Sequence, residues 1–317
     1  MKDIRTTKDL DSLYQSDKNV MQFLRETGDK ADENEINSIL LSYDLQSGSY
    51  TQSYLENEKY DNYHIQGKKA EMTTAELTKL IGSEIAKIID RLNIDSLLEV
   101  GVGEATTLCD VLTALPNNLK TFGIDLSPSR IAYANKFLKI KGCSDVLLST
   151  GDMFSLPFSD NQFDAILTVH AIEPNTNRER EALQELLRVT KKYLILIEPS
   201  FELGNSETKE RIMEHKYIKN LFGEAKSIPQ VKAILKHELF KYGTFNNQSS
   251  LLIIEKANDI DTMSDTEINY ACPICKTNLL SINNHLFCPE CYLVFPILKE
   301  VPMLRKDDGI LFSKFCD

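Results

Sequence analysis

Residues 97–108 read LLEVGVGEATTL, an apolar run that ends at a turn with two glycines. Glycine lets the backbone approach a ligand closely, and the helix that follows such a turn offers unpaired N–H groups to an anion. The third glycine of the dinucleotide fingerprint is missing from GVGEAT. The stretch predicts a nucleotide-binding α/β domain with Glu99, Gly101 and Gly103 at the ligand, although a plain strand-to-helix turn could use the same glycines.

Short apolar runs alternate with amphipathic stretches on the C-terminal side of this turn. Such alternation is typical of right-handed βαβ units, in which a mostly parallel sheet carries helices on both faces. The sequence thus predicts a doubly wound α/β fold. The predicted strands are 96–100, 120–124, 146–148, 163–169, 193–197 and 251–254, and the predicted helices are 104–115, 129–138 and 178–189.

Two more acidic residues follow the second and third predicted strands. Asp125 stands in FGIDLSPSR, and Asp152 stands in STGDMFSLPF. In a doubly wound sheet both residues would reach the carboxyl edge, where ligands bind. Asp125 suits a ribose because a carboxylate accepts two hydroxyl hydrogen bonds, and Met153 and Phe154 could flank an adenine. An NAD-binding domain remains an alternative.

Four segments together carry the pattern of a known enzyme family: EVGVGEA (99–105), GIDLSPSRI (123–131), GDMFSLPFSDNQFDAILTVHAIEPN (151–175) and LLRVTKKYLILIEP (186–199). They resemble class I S-adenosylmethionine-dependent methyltransferases of the methyltransferase-11 and methyltransferase-25 type. The resemblance spans about residues 75–255.

This resemblance implies a Rossmann-like, doubly wound, mostly parallel sheet of seven strands. It also implies that the protein is a transferase and that S-adenosyl-L-methionine is its cofactor. The residues implied to bind the cofactor are Glu99, Gly101 and Gly103 for the methionine moiety, Asp125 with its neighbour Leu126 for the ribose, Asp152 and Met153 for the adenine, and His170 beside them.

Methyl transfer from a sulfonium is an in-line displacement, so the enzyme must align the acceptor, exclude water and take a proton when the acceptor is a hydroxyl. Residues for this chemistry should follow the fourth and fifth strands. His170 is the best general-base candidate because its unperturbed pKa lies near neutrality, although it could equally pack beneath the substrate. The candidate catalytic residues are His170, Glu173, Asn175 and Glu198.

Two signatures of nucleic-acid or protein methylation are absent from the sequence. The segment HAIEPN replaces the Asn/Asp-Pro-Pro-Tyr/Phe signature of amino-directed adenine or glutamine methyltransferases, and there is no Pro-Cys nucleophile for cytosine C5. Cys109 and Cys143 are therefore expected to be packed thiols.

The N-terminal residues 1–70 predict a helical extension or lid before a catalytic domain over 71–256. Thr73 or Thr74 should cap an amphipathic helix that ends near Leu92. Tyr60, Tyr63 and His64 could fold over the pocket, or the tyrosines could simply pack a helical cap. Residues 257–269 are polar and acidic, which predicts a linker.

Residues 270–317 contain two cysteine pairs, Cys272-x2-Cys275 and Cys288-x2-Cys291. Each pair makes a knuckle whose thiolates point to one centre, and two knuckles complete the tetrahedral sulfur set that suits Zn²⁺. A closed shell of four sulfurs predicts a structural metal that stabilises a segment too short to fold alone. His285, which lies between the pairs, is not expected to be a ligand.

With its tail FPILKEVPML (295–304), this segment resembles small zinc-ribbon proteins that bind and activate several tRNA, ribosomal RNA and translation-factor methyltransferases. The resemblance implies that the ribbon packs on the catalytic domain or helps to present substrate. Ribosomal RNA guanine methyltransferases also join a ribbon to this fold, but at the N-terminus.

Composition bears on the methyl acceptor and on location. The formal charge is −11, from 36 basic and 47 acidic residues, which on average repels a phosphate backbone. No apolar run is long enough to span a membrane, and the N-terminus lacks a signal-peptide pattern, so a cytoplasmic location is expected. The predicted acceptor is a small molecule or a saccharide.

Two other functions stay open. In the first, an RNA or protein acceptor docks on the ribbon through nearby basic residues. In the second, the ribbon is a partner-binding platform on a domain without activity, although the intact glycine and acidic positions argue against that. The basic residues near the ribbon are Lys276, Lys299, Arg305 and Lys306.

Overall fold

Four helices and a β-hairpin precede the main sheet in the computed structural model, which describes residues 7–27, 32–116, 119–143, 145–257 and 267–316. The hairpin arises because Gln66 and Gly67 take positive φ angles of 51° and 78°, which suit a two-residue turn. The elements are α1 (Thr7–Tyr14), α2 (Val20–Thr27), α3 (Asp32–Leu45), α4 (Ser49–Leu55), β1 (Lys59–Ile65) and β2 (Lys68–Thr73).

The prediction of a helical extension over 1–70 is therefore wrong for its last part. Helices reach only to Leu55, and the rest of that range belongs largely to the hairpin. Tyr60, Tyr63 and His64 lie on β1 rather than on a helix. Residues 1–6 and 28–31 of the predicted extension lie outside the described residues.

Helix α5 (Thr74–Leu92) then enters the main domain as predicted. Its N-cap is Thr73, whose hydroxyl accepts the Glu76 amide while the Glu76 carboxylate accepts the Thr73 amide. This capping box satisfies two backbone donors that the first turn would otherwise leave unpaired. Asn93 ends the helix in the left-handed conformation.

Seven strands form the main sheet, in the order β5-β4-β3-β6-β7-β10-β8. Strands β3 to β7 pair in parallel, and β10 lies antiparallel between β7 and β8. The Rossmann-like, mostly parallel fold is thus confirmed. Its elements are β3 (Ser96–Val100), α6 (Thr106–Ala114), β4 (Lys120–Asp125), α7 (Pro128–Lys141), β5 (Leu147–Thr150), β6 (Phe163–Val169), α8 (Glu179–Val189), β7 (Thr190–Pro199), α9 (Ser206–His215), α10 (Leu221–Ser227), β8 (Val231–Leu239), β9 (Tyr242–Thr244) and β10 (Ser249–Lys256).

Two of these strands have no counterpart in the sequence prediction. Strand β8 is an edge strand that mixes apolar and charged residues, all of them partly or fully exposed, so it lacks the long apolar run of a buried strand. Strand β9 has three residues and pairs with β1, which adds the N-terminal hairpin to the main domain as a separate three-stranded sheet.

Apolar side chains cover both faces of the main sheet. Leu97 and Leu167 point into one core, which α5, α6 and α7 cover, while Leu98 and Ile166 point into the other, which α8 and α10 cover. Neighbouring residues of one strand thus serve opposite cores, as the twofold period of a strand requires. Polar residues such as Glu99 and Asp125 lie at the carboxyl ends of the parallel strands.

The C-terminal segment folds as a small antiparallel sheet and docks on the β5 edge of the main sheet. Val301 and Met303 pack into one of the main cores, and the Leu304 amide donates to the Thr150 hydroxyl at 2.8 Å. Of the predicted linker, residues 258–266 lie outside the described residues. The strands are β11 (Leu280–Ile282), β12 (His285–Cys288), β13 (Leu293–Phe295), β14 (Ile297–Leu298), β15 (Val301–Pro302) and β16 (Ile310–Leu311).

Within the described ranges, every helix is too short or too polar to cross a bilayer.

Candidate active site and metal centre

A cavity of about 680 Å³ opens at the carboxyl ends of β3, β4, β5 and β6. This volume falls in the range of small-molecule sites, roughly 300 to 1,000 Å³. The eight residues predicted to bind the cofactor all lie on its wall, so the sheet topology brings them together from four separate strand ends. They are Glu99, Gly101, Gly103, Asp125, Leu126, Asp152, Met153 and His170.

The turn after β3 requires glycine at Gly101. Its φ is 76°, and a Cβ placed there would lie 2.3 Å from the Cβ of Ala171, where no side chain fits. The amides of Gly101 and Val102 both donate to the Ile124 carbonyl at 2.9 Å. The turn is therefore held between Ile124 at the end of β4 and Ala171 after β6, and its backbone lines the cavity.

Glu99 is a buried carboxylate with spare hydrogen-bonding capacity. Its residue surface is 2% exposed, and its Oε2 has no hydrogen-bond partner among the described residues. Burial, with the nearby Asp125 charge, raises the pKa of Glu99 to about 8. A buried carboxyl of this kind favours a cationic or hydrogen-bond-donating ligand, which would supply the missing partner.

Asp125 ends β4 and is held by two backbone amides. Its Oδ2 accepts from Gly103 and its Oδ1 accepts from Ser127, both at 2.9 Å. Burial raises the pKa of Asp125, whereas the nearby Arg130 and the two amides oppose that rise. Each oxygen keeps a further lone pair, so the fixed carboxylate can accept from a diol.

The loop after β5 presents Asp152 and Met153 to the same cavity. Asp152 Oδ1 accepts the Phe154 amide at 2.9 Å, and burial raises the pKa of Asp152. The Arg178 guanidinium carbon lies over the Phe154 ring, 3.4 Å from the ring centroid. The loop is thus a rigid platform with an apolar thioether and a carboxylate on its cavity side.

His170 follows β6 on the cavity wall and takes a left-handed φ of 55°. Its Nδ1 lies 3.0 Å from Glu173 Oε2, and its Nε2 lies 2.8 Å from the hydroxyl of Ser249. Burial alone would lower the pKa of His170, but the Glu173 carboxylate outweighs it and the net pKa is raised. The Glu173 carboxylate beside Nδ1 favours the tautomer of neutral His170 that carries its proton on Nδ1.

Asn175 and Glu198 hold the loop after β6 in place. The Asn175 amide nitrogen lies near the carbonyls of Ala171 and Ile172 and 3.8 Å from the Met153 sulfur. Glu198 accepts the amides of residues 171–173 and does not line the cavity. Its burial, with the Glu173 charge, raises the pKa of Glu198 to about 7.

Two carboxylates tie the N-terminal helices α3 and α4 to the main domain, a connection that the sequence did not reveal. Glu104 accepts the amides of Gly48 and Thr51 at 2.8 and 2.7 Å, and so caps α4. Asp44, at the end of α3, accepts the hydroxyl and amide of Ser129 and the hydroxyl of Ser127, and so caps α7. Helices α3 and α4 are thereby held over the cavity.

The roof of the cavity is aromatic. Arg130 lies between the rings of Tyr43 and Tyr50, with its guanidinium 4.6 and 4.5 Å from their centroids, and its Nε donates to the Tyr43 carbonyl. Tyr60 and Tyr63 also line the cavity. His64 is fully buried, burial lowers its pKa, and it does not line the cavity.

Cys109 and Cys143 lie apart from the cavity. Cys109 is buried in the core, its sulfur is 3.4 Å from that of Cys143, and burial raises the pKa of Cys109 to about 12. A thiol with so high a pKa is a poor nucleophile at neutral pH, which agrees with the prediction of packed thiols.

The four cysteines of the ribbon converge on one point. Their sulfurs all lie within 4.8 Å of one another, with Cys275 to Cys288 at 3.4 Å and Cys272 to Cys291 at 4.0 Å. Tetrahedral Zn–S bonds of about 2.3 Å would place sulfurs roughly 3.8 Å apart, so the donor set fits zinc. Within the described ranges no histidine joins this cluster, in keeping with the expectation for His285.

Two of the basic residues near the ribbon are engaged within the chain. Lys276 Nζ donates to the carbonyls of Leu156 and Pro273 and lies 3.4 Å from Glu185. Arg305 pairs with Asp308 at 2.7 Å. Lys299 and Lys306 are exposed. Of these four basic residues, Lys299 and Lys306 thus remain available to dock a macromolecule.

Comparison with known proteins bears on this site. Residues 97–193, which carry the glycine turn, Asp125, Asp152 and His170, match the family described as "Methyltransferase domain". This part of the chain is thus similar to methyltransferase domains. The match covers β3 to the first part of β7 and so leaves the N-terminal helices and the ribbon outside it.

Two curated relatives of the methyltransferase domain are N-methyltransferases from Rauvolfia serpentina. Norajmaline N-methyltransferase is 32% identical over 95 residues, or 30% of this chain and 32% of that protein. Ajmaline N-methyltransferase is 27% identical over 130 residues, or 40% of this chain and 44% of that protein. The alignments therefore span only about a third to a half of these relatives.

Among solved structures, the magnesium protoporphyrin IX methyltransferase of Synechocystis PCC 6803, with bound SAH, is similar with a TM-score of 0.50. Its identity is 10%, and the match covers 70% of this chain and 99% of that chain. At this identity the likeness supports the fold.

Proposed function

We propose that the protein transfers a methyl group from S-adenosyl-L-methionine to a small-molecule or saccharide acceptor and holds a structural zinc ion in its C-terminal ribbon. The observation that carries this proposal is Glu99, a buried carboxylate with an unpartnered oxygen at the glycine turn of a methyltransferase domain. A ligand with an ammonium group beside a nucleoside would supply both that partner and a diol for Asp125.

The residues present fit this cofactor part by part. Glu99 and the backbone at Gly101 would hold the methionine moiety, Asp125 would hold the ribose, and the Asp152–Met153 loop would hold the adenine. When bound, S-adenosyl-L-methionine supplies an electrophilic methyl group. The protein's own contribution is to fix the strand ends and to close the cavity with α3 and α4, which keeps water away from the acceptor.

Proton removal is assigned to His170 when the acceptor is a hydroxyl. Glu173 keeps a proton on Nδ1, which leaves the lone pair of Nε2 for an incoming proton. In the structure this lone pair faces the Ser249 hydroxyl, so Ser249 must rotate away before Nε2 can reach the acceptor. Asn175 and Glu198 are positioning residues that hold the 171–173 backbone.

A small acceptor is favoured over a macromolecule by the shape and charge of the site. The cavity lies beneath α3 and α4, five carboxylates line it, and the chain carries a formal charge of −11. Lys276 and Arg305 form internal contacts rather than a docking surface. The Rauvolfia relatives, named for methylation of small molecules at nitrogen, support the same class of acceptor.

Calorimetry with S-adenosylhomocysteine tests cofactor binding. Asp125→Asn is expected to raise its Kd about tenfold or more, because the ribose loses charge-assisted hydrogen bonds. Glu207→Gln, an exposed change on α9, is the matched control and should leave Kd unchanged. Unaltered affinity in the Asp125 variant would overturn the ribose assignment.

Activity is tested by incubating the protein with radiolabelled S-adenosyl-L-methionine and a cell lysate split into metabolite, RNA and protein fractions. Label is expected in the metabolite fraction. Label confined to RNA or protein would contradict the proposed acceptor class, and protein that binds the cofactor yet labels no fraction would contradict the proposed activity.

A further inference from the structure

Arg211 on α9 lines the cavity near His170 and Asn247, beyond the residues assigned to the cofactor. Its Nε is buried and has no hydrogen-bond partner among the described residues. Arg211 also forms none of the ion pairs found in the described part of the chain, and its guanidinium lies over the Tyr217 ring, 5.9 Å from the ring centroid. Arg211 thus places a positively charged donor in a partly buried site, with no carboxylate partner among the described residues.

Five other arginines in the described ranges bond a carboxylate or a backbone carbonyl, as the geometry of the guanidinium allows. They are Arg130, Arg178, Arg180, Arg188 and Arg305. Arg130 nevertheless keeps a buried Nη2 without a partner, and Arg91 is exposed. Arg211 is half-buried, and its Nε is fully buried. Because a buried donor without a partner is costly, its place on the cavity wall favours a ligand that completes it.

The surroundings of Arg211 define what that ligand offers. The Oδ1 of Asn247 is also buried without a partner, while its amide nitrogen faces Glu173 at 3.4 Å. The Oε2 of Glu173 lies 3.0 Å from His170 Nδ1, and no ion pair joins Glu173 to Arg211 among the described residues. This end of the cavity therefore combines an open guanidinium with an open amide oxygen that can accept a hydrogen bond.

We propose that the methyl acceptor carries a carboxylate, which Arg211 binds through its guanidinium while Asn247 accepts a hydroxyl or N–H of the same molecule. The planar fork of a guanidinium matches the two oxygens of a carboxylate. A doubly charged phosphate is disfavoured, because Glu99, Glu104, Asp125, Asp152 and Glu173 line the same cavity. This inference rests on the proposed methyl transfer and narrows its acceptor class.

The first test is the chemistry of the labelled product from the metabolite fraction. A carboxylate product changes its chromatographic retention after coupling to aniline with a water-soluble carbodiimide, and phosphatase leaves it unaltered. A product that does not couple, or that phosphatase converts, would overturn the proposal. Failure of the protein to bind S-adenosylhomocysteine would instead count against the proposed function as a whole.

The second test compares Arg211→Gln and Arg211→Lys with Arg180→Gln, a change in an exposed arginine of α8. Arg211→Gln is expected to lower kcat/KM for the labelled metabolite about 100-fold, mainly through KM, with Arg211→Lys between it and wild type. The Kd of S-adenosylhomocysteine should stay within threefold. An equal loss of S-adenosylhomocysteine affinity would assign Arg211 to the cofactor and overturn the inference.

Thermal unfolding tests whether a lower kcat/KM in Arg211→Gln results from loss of folding. Since the guanidinium lacks an anion in the free protein, Arg211→Gln is expected to unfold at the same temperature as wild type or higher. A marked fall in unfolding temperature would show that Arg211 has a structural partner, which contradicts a residue reserved for the acceptor.

Discussion

The Glu104 carboxylate accepts the backbone amide of Gly48 at 2.8 Å, across 56 positions of sequence. Glu104 belongs to the turn proposed to bind the cofactor, and Gly48 precedes α4 in the roof of the cavity. The position of the roof is thus set by the same backbone that meets the cofactor. This contact couples closure of the site to the order of the turn.

Weakening that contact should loosen the roof. Glu104→Gln is expected to speed hydrogen exchange of the Gly48 and Thr51 amides and to raise the Kd of S-adenosylhomocysteine about tenfold, because charge-assisted bonds of roughly 1.5–3 kcal/mol are weakened. Exchange measured by mass spectrometry and calorimetry check this. Glu207→Gln serves as the control, and unchanged exchange at residues 48–55 would refute the coupling.

Glu99 should make stability and cofactor binding depend on pH. Its pKa is raised from 4.5 to about 8, so the folded state holds the proton more tightly than the unfolded state. The free energy of unfolding should therefore fall as pH rises from about 4.5 to about 8 and then level off. Glu99→Gln should flatten this slope in urea unfolding series.

The binding of S-adenosylhomocysteine should also depend on the ionisation of Glu99. An ammonium ligand needs ionised Glu99, so S-adenosylhomocysteine binding near pH 7 should release a proton, visible as a dependence of the calorimetric enthalpy on buffer. Glu99→Gln should abolish the release and weaken binding by about 10- to 100-fold. Proton release of equal size in both proteins would exclude Glu99 as its source.

Removing zinc should disturb the adenine side of the site. The ribbon contacts the loop that is proposed to bind adenine through Thr150, which bonds the Leu304 amide, and through Ser155, which bonds the Pro273 carbonyl. Chelation or Cys272→Ser is expected to lower the unfolding temperature and to raise the Kd of S-adenosylhomocysteine severalfold. Metal analysis should find one zinc per wild-type chain.

Cys316→Ser, an exposed change outside the cluster, is the control for cysteine loss. Wild-type protein purified with far less than one zinc would contradict the metal site. Zinc removal that leaves both stability and affinity unchanged would show that the ribbon does not support the adenine loop.

His170 should govern the pH dependence of turnover. As a general base it must be neutral, so kcat should rise with pH through a pKa above 6.5, the direction that Glu173 imposes. His170→Asn is expected to lower kcat about 100- to 1,000-fold and to remove this rise. Ser249→Ala should free Nε2 and leave kcat equal or higher. Full turnover in His170→Asn would remove it as the base.

The sequence alone predicted most of the main sheet and of its helices, and it named eight residues that the fold brings to the wall of one cavity. These features are local: an apolar run followed by glycines, acidic residues directly after strands, and a capping box at Thr73 all act between neighbours in the chain. Parallel sheet topology then brings strand ends together by a general rule. The cysteine spacing likewise predicted a cluster that the structure assembles.

Tertiary structure alone decided the roof, the hairpin and the surroundings of Arg211. No sequence pattern near Glu104 identifies Gly48 as its hydrogen-bond partner. Arg211 becomes a candidate ligand-binding residue only because the fold places it on the cavity wall with its Nε unpartnered. The edge strand β8 and the short strand β9 form because distant chain segments offer them hydrogen bonds. Such contacts depend on loop closure over long separations, which residue patterns do not encode locally.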